Sequence, residues 1–363
     1  MSNQPPPAPP LPSLPASPAP TSFTYRQLAK LAGVSLSTVS CALRNRPGVS
    51  TEERERIREI AQKAGYKPNP LVTALMSGHR KGRGNRHMRS IIACIMESRI
   101  RGIRAQTPTA RKAFEGYRAA CDEAGFILEE FTWEEFGESP KRLFSMLRTR
   151  QVPGVIFHGG DVPAWCREGW DGFAMASVGN RMPSMPCDFA GADHFRNTLI
   201  AVHGLLMAGY RRIGFAMTRM PWVENTEYRA LSAYQGWVTQ SGQSSTKDAV
   251  PPFWTERWDT REFLRWIHRH NPEVVIGAQH EPLNALREAG YRLPEDIGFV
   301  HLGLDTEWTD LAGMRQNNFQ VGEAAAHLVI EQINRNAYGV PKHPRSVLVT
   351  GDWFAGPSIL GKI

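Results

Sequence analysis

The sequence predicts an α/β protein in which a small all-helical unit precedes a large body built on parallel sheets. Three observations carry this. Residues 24–89 hold fourteen Lys and Arg against four acids, while the chain as a whole is only +8 over 363 residues. Everything outside that segment therefore sums to about −2. Before residue 68, apolar residues recur at helical spacing in three short stretches, and after residue 90 short apolar runs alternate with amphipathic ones.

The first stretch, "MSNQPPPAPPLPSLPASPAP", carries no charge and reads as a disordered polyproline-like arm over 1–22. It has neither the basic start nor the apolar centre of a secretory signal. No apolar run approaches the roughly 18–20 residues of a membrane span, so no membrane partner is expected. The five cysteines, Cys41, Cys94, Cys121, Cys166 and Cys187, form no C-x-x-C pair and are odd in number. Neither a zinc ribbon nor a disulfide framework is suggested, and a reduced cytoplasm fits.

From Thr24 three helices are expected. Thr24 with Gln27 has capping-box spacing, followed by Leu28, Leu31 and Ala32 on one face, and Gly33 ends the helix. Ser35 then caps a second helix whose inward residues are Val39, Ala42 and Leu43. Ser50 and Glu53 open a third, with Ile57, Ile60, Ala61 and Ala64 as its apolar stripe and Gly65 and Pro68 beyond. The tight turn between the first two makes a helix-turn-helix layout. Its second helix carries Ser35, Ser37, Thr38 and Ser40, hydroxyls that suit phosphate oxygens and base edges, where a carboxylate would be repelled. A basic segment with such a helix points to duplex DNA as partner.

The stretch "FTYRQLAKLAGVSLSTVSCALRNRPGVSTEERERIREIAQKAGYKPNPLVTAL" resembles the headpiece of the lactose/purine repressor (LacI/GalR) family. By position, the resemblance makes Leu36, Ser37 and Cys41 base-reading residues and gives phosphates to Ser35, Thr38 and Ser40. Two departures stand out: many members have Arg where Cys41 stands and Asn where Arg44 stands. Arg grips guanine with two hydrogen bonds and Cys does not, so the operator is not readable from family rules. The resemblance further implies a hinge helix in 69–89 whose Leu75 wedges into the minor groove and bends the duplex. The Gly- and Arg-rich "RKGRGNRHMR" after it reads as a basic tether.

In the body, "SIIACIM", "FILEEFTW", "GVIFHGG" and "FAMASVG" read as strands among helices near 111–124 and 140–150. A second set, "RIGFAM", "VVIGA" and "IGFVHLGL", alternates with helices near 195–208, 229–240, 260–270 and 283–289. Two sets mean two subdomains with parallel sheets and a ligand cleft between the C-terminal ends of their strands. The resemblance continues in "GYRLPEDIGFVHLGLD" and implies a periplasmic-binding-protein-like body for effector binding and dimerisation over 90–363. Its subdomains are expected at about 90–192 plus 314–338 and 193–313 plus 339–363, after a DNA-binding domain at 23–68. By position, Asp305 and Arg229 are the leading effector contacts, with Trp222, Asn180 and Asp193 behind them. The acidic residue usual after the "VVIGA" strand is replaced by the shortened "QHEP", which sits badly with a standard sugar site.

The reading that follows is a transcriptional regulator, a repressor by resemblance, that binds two-fold operator DNA as a homodimer under a small effector such as a sugar. The alternative is a stand-alone periplasmic-type sugar-binding protein, against which the basic headpiece and the missing signal argue. No G-x-S-x-G elbow, P-loop or H-E-x-x-H pair points to an enzyme, and no cofactor or metal is expected. "HRH" at His268–His270 reads as a solvated helix end.

Overall fold

The computed structural model describes residues 25–43, 49–63, 90–104, 108–220, 226–240, 249–304 and 308–361. The chain divides into two compact units, Met1–Pro68 and Asn69–Ile363.

The first unit has α1 (Tyr25–Ala32), α2 (Leu36–Leu43) and α3 (Thr51–Lys63). Leu28, Ala29, Ala32, Val39, Ala42, Ile57 and Ala61 form its core. Leu31 was expected on that face but is 57% exposed. The buried stripe of α1 runs through 28, 29 and 32, and residue 31 lies about 100° round the helix from its centre. Gly33, at φ 66°, ends α1 in the left-handed conformation. Val34 N–H then reaches back to Ala29 O at 3.1 Å, the usual way of satisfying a helix's last carbonyls. Arg56 of α3 donates to Ala32 O at 2.8 Å while paired with Glu53, so α3 pins the turn between α1 and α2. The expected arm, Thr24, Arg44 and the whole hinge segment with Leu75 lie outside the described residues.

The second unit holds two six-stranded sheets. The first contains β1 (Ile91–Met96), β2 (Ile127–Thr132), β3 (Gly154–His158), β4 (Ala174–Val178), β5 (Asp188–Ala192) and β11 (Ser346–Val349), in the order β11-β5-β4-β3-β1-β2. All of its pairings are parallel. β3, β4 and β5 are buried along their whole length, as strands covered by helices on both faces must be. Connecting helices are α4 (Ser98–Arg104), α5 (Pro108–Glu123) and α6 (Pro140–Thr149).

The second sheet contains β6 (Ile213–Thr218), β7 (Phe253–Thr255), β8 (Val274–Gly277), β9 (Gly298–Leu304), β10 (Ala312–Arg315) and β12 (Asp352–Phe354). Its order is β12-β10-β9-β8-β6-β7, parallel except for β12 on β10. Its helices are α7 (His194–Met207), α8 (Arg229–Gln240), α9 (Thr260–His270) and α10 (Glu281–Glu288). α11 (Asn318–Asn334) returns to the first half and lies on α5 backbone to backbone. A Cβ at Gly322 would stand 1.9 Å from Ala113 O, so only glycine permits that crossing.

The chain thus crosses between halves three times, and the last two crossings differ from expectation. β10 belongs to the second sheet throughout, which moves the outward crossing past Arg315. The return falls after Val349 instead of at 339, because Ser346–Val349 pairs with β5. Arg345 secures that strand by donating to the buried Asp188 through Nη2 at 2.8 Å and Nε at 3.0 Å. The crossings are laced together. Asp193 N–H donates to Val349 O at 2.9 Å, Asn317 Nδ2 to Thr350 O at 2.9 Å, and Gly351 N–H to Asn197 Oδ1 at 2.8 Å.

Candidate functional site

Two places carry the expected chemistry, one in each unit. In the headpiece, Ser35 is the cap of α2: its Oγ accepts from Thr38 N–H at 3.1 Å and lies 2.8 Å from Thr38 Oγ1. Satisfying an orphan N–H in this way starts the helix without a carboxylate. α2 has no acid in its first turn. Val39 and Ala42 face the core, while Thr38 and Cys41 are half-buried. Leu36, Ser37 and Ser40 have their backbone in α2, and their side chains lie outside the described residues, as Arg44 does entirely.

The four acids of this segment all sit on α3, where four basic residues balance them. The positive excess therefore belongs to Arg26 and Lys30, to Arg44 and Arg46, and to residues 64–89.

In the body, a small cleft opens at the C-terminal ends of β6, β8 and β9. Met217, Ala278, Leu302 and Gly303 come from those strand ends. His194 opens α7, Ala230 lies in the first turn of α8, and Thr226 and Tyr228 lead into it. Gln316 follows β10 and donates from Nε2 to Leu302 O at 3.1 Å. Strand ends and helix starts meet here because each crossover enters its helix at this edge of the sheet.

Burial, helped by the Arg229 charge and opposed by Asp193, pushes the His194 imidazole down to about 4. His301, one strand position before Leu302, is also pushed down to about 4, by burial and then by His280. Its Nδ1 accepts from Gly303 N–H at 3.0 Å, so that nitrogen carries no proton. Both rings are neutral at pH 7.

Of the five expected effector residues, Asp305 and Trp222 lie outside the described residues. Arg229 opens α8 beside the cleft, but its guanidinium is held by Glu227 through Nη2 at 2.6 Å and Nε at 3.1 Å. Asp193 caps α7 by accepting from Arg196 N–H at 3.0 Å. Asn180 is half-buried in the turn after β4, at the same edge of the first sheet. Its neighbour Arg181 reaches Glu227 at 3.3 Å, so one carboxylate joins the two halves. Hydrogen bonding by Arg229, with Arg181 adding to it, holds the Glu227 carboxyl below its ordinary range.

Sequence reasoning passed over His194, Thr226, Tyr228, Glu227 and Arg181. Thr226 to Tyr228 directly precede Arg229, and that adjacency was the one available signal. Gln279, in the shortened "QHEP", accepts from Thr218 N–H at 2.7 Å and donates to Thr218 O at 3.0 Å. It extends the β6–β8 pairing by one side chain, a job unlike that of an acidic ligand contact. Among the described residues no group of three His, Cys, Asp or Glu could hold a metal, and no helix is long and apolar enough to cross a membrane.

The family model described as "Bacterial regulatory proteins, lacI family" matches residues 24–69. The HTH-type transcriptional repressor CytR of Escherichia coli (strain K12) is 23% identical over 339 residues, covering 88% of this chain and 92% of that one. The Lac repressor dimer bound to operator and the anti-inducer ONPF shares the fold, at 16% identity and a TM-score of 0.53, over 94% of this chain and all of that one. The transcriptional regulator CelR in complex with cellobiose does so at 18% identity and a TM-score of 0.54, over 93% and 99%.

Proposed function

We propose that the chain is a regulatory protein of the lacI type, whose family model its residues 24–69 match, and that it binds a two-fold operator as a homodimer, with its effector in the cleft beside α8. It is an effector-controlled, DNA-binding transcriptional regulator of the repressor type. The observation that carries the DNA reading is α2 itself: a serine-capped helix without acids, in a headpiece whose spare positive charge lies off α3. One headpiece reads one half-site, and a symmetric pair multiplies specificity.

On this reading Ser37 and Cys41, four residues apart on α2 and so on one face of the helix, serve bases together with Leu36. Ser35, Thr38, Ser40 and Arg44 serve phosphates, and Leu75 wedges into the minor groove. Asp305, Arg229, Trp222, Asn180 and Asp193 remain effector candidates by position. Arg229 and Asp193 also have structural employment, through Glu227 and the α7 cap. Five free cysteines and a DNA target agree with action in the cytoplasm.

Selection of bound sequences from random duplexes by the full chain tests this. A palindromic consensus is expected, with no retention by a chain lacking residues 1–89. Retention of duplex by that shortened chain at moderate salt, or selection of no consensus by the full chain, would overturn the reading.

A further inference from the structure

We infer that Arg56 of α3 is a positioning residue for DNA reading: together with Glu53 it fixes the angle at which α2 leaves α1, and it serves no phosphate itself. The inference rests on the DNA-binding reading above and names what aims its recognition helix.

Arg56 and Glu53 meet as fork and carboxylate. Nε of Arg56 donates to Oε2 of Glu53 at 2.9 Å, and Nη2 donates to Oε1 at 2.7 Å. The guanidinium is planar, so this pairing fixes where its remaining hydrogens point. Nη2 also donates to Ala32 O, at 2.8 Å. Ala32 ends α1, and its carbonyl is one of those that a helix leaves without a partner of its own. A cation there also suits the negative end of the α1 dipole. The expected capping box is made on one side, where Glu53 N–H donates to Ser50 Oγ at 3.2 Å. The Glu53 carboxylate serves Arg56 instead.

Only Gly33, Val34 and Ser35 separate Ala32 from α2. A shift of the Ala32 carbonyl therefore passes directly to the start of the recognition helix. The core restrains the direction of that helix weakly. α2 gives it Val39 and Ala42, with Leu43 packed beside them. Apolar contact is non-directional, whereas a hydrogen bond prefers a narrow range of angles. A binding constellation needs its side chains held within about 0.5 Å and about 20° of the productive geometry.

Stability is a small part of this role. The side chains of Arg56 and Glu53 are 49% and 32% exposed, and solvent screens such a pair. Nor is Arg56 a spare cation for DNA. Its hydrogen bonds hold the Glu53 carboxyl below the ordinary range, so at pH 7 the two charges cancel.

The test compares the affinity of the full chain for its selected consensus duplex and for a scrambled duplex of equal length, well below the melting temperature. Arg56→Lys keeps the charge and loses the fork. It is expected to weaken consensus binding at least about fivefold, with scrambled binding unchanged within about twofold. Glu53→Gln is the sharper variant, because charge and clamp predict opposite signs. Removing an acid favours both duplexes, whereas loss of the clamp weakens the consensus alone. Consensus binding is expected to fall by a similar factor while scrambled binding tightens slightly. The double variant should lose no more than the larger single loss, since both substitutions break one device. An unchanged consensus-to-scrambled ratio in either single variant overturns the inference, whatever happens to melting. Equal loss on both duplexes in Arg56→Lys overturns it too, as the mark of a phosphate contact. Selection of no consensus by the parent counts against the regulator reading, and this inference falls with it. A consensus with unchanged ratios counts against this inference alone.

Discussion

Glu227 Oε1 stands 3.3 Å from Arg181 Nε, and this ion pair bridges the two halves of the body. Its other oxygen holds Arg229 at 2.6 Å. Glu227 and Tyr228 both have left-handed backbone, at φ 57° and 53°. A side chain in that conformation costs roughly 1–2 kcal/mol per residue. Thr226 and Tyr228, on either side of Glu227, line the cleft. The residue that clasps the halves therefore also shapes the wall that a ligand would touch.

Glu227→Gln should loosen this clasp with little loss of stability. The side chains of Arg181 and Glu227 are 32% and 53% exposed. Solvent screens such a pair, which therefore contributes less than about 1 kcal/mol. The distribution of distances between halves should broaden, as read by spin labels at Glu115 and Arg261 in a Cys41→Ser background. Glu227→Gly removes the carboxylate and relieves the φ together, and should broaden it as much while unfolding no earlier than Glu227→Gln. An unchanged distribution in both variants would mean that the crossings alone, through Asn197, Asn317 and Asp193, set the angle.

The body should lose stability in mild acid. His194 and His301 both fall from an ordinary 6.5 to about 4 in the folded protein. Between those values the unfolded chain binds more protons than the folded one, so stability rises with pH from about 4 to about 6.5 and is flat above. Carboxylates held low act further down, Asp296 at about 2 from 3.8 beside Arg292. Urea midpoints between about pH 4.5 and 7.5 give the profile. His194→Gln should flatten it by at most one proton, about 1.4 kcal/mol per pH unit. A wild-type profile level from about 4.5 to 7 would show that neither ring is buried neutral.

Much of this architecture is legible in the sequence where periodicity is long. The helices at 229–240 and 260–270 run where the pattern places them, and β1, β3, β4, β6, β8 and β9 announce themselves as apolar runs. β5, "DFAGA", is wholly buried yet has no β-branched residue, and β7, β10, β11 and β12 have three or four residues each. Such segments owe their conformation to the sheet edge they join and carry little signal of their own. Arg345 meets Asp188 across 157 residues, and nothing local marks either as a partner. The same holds at the cleft. Arg229 was found by resemblance, but its partner Glu227 also pairs with Arg181 of the other half, which nothing local marks.

Ser35 offers a test that separates folding from DNA contact. Ser35→Ala removes the α2 cap, whose bond runs from Thr38 N–H. That loss should cost the headpiece about 1 kcal/mol. Ser35→Asp caps as well as serine does, so melting of the headpiece should return to that of the parent. It also sets a carboxylate where phosphates are expected, and DNA affinity should fall further than in the alanine variant. If affinity followed stability across the two variants, Ser35 would be a structural cap and nothing more.

Cys41→Arg bears on how the operator is chosen. Cys41 is half-buried on α2, between Val39 and Ala42, which pack inward at 0% exposure. An arginine there keeps its stem on the headpiece and extends its guanidinium outward. Facing the major groove, it would gain roughly 1–3 kcal/mol wherever a guanine is correctly placed, and the preferred operator should change at that base pair. The added charge should also tighten nonspecific binding and steepen its salt dependence by about one counterion. These effects differ in kind: a residue facing phosphate alone would show the second without the first. Sequences selected by the variant and by the parent, compared at two salt concentrations, separate the cases. Identical consensus sequences with a steeper salt slope would move Cys41 from the bases to the backbone, and leave base reading to its neighbours on α2.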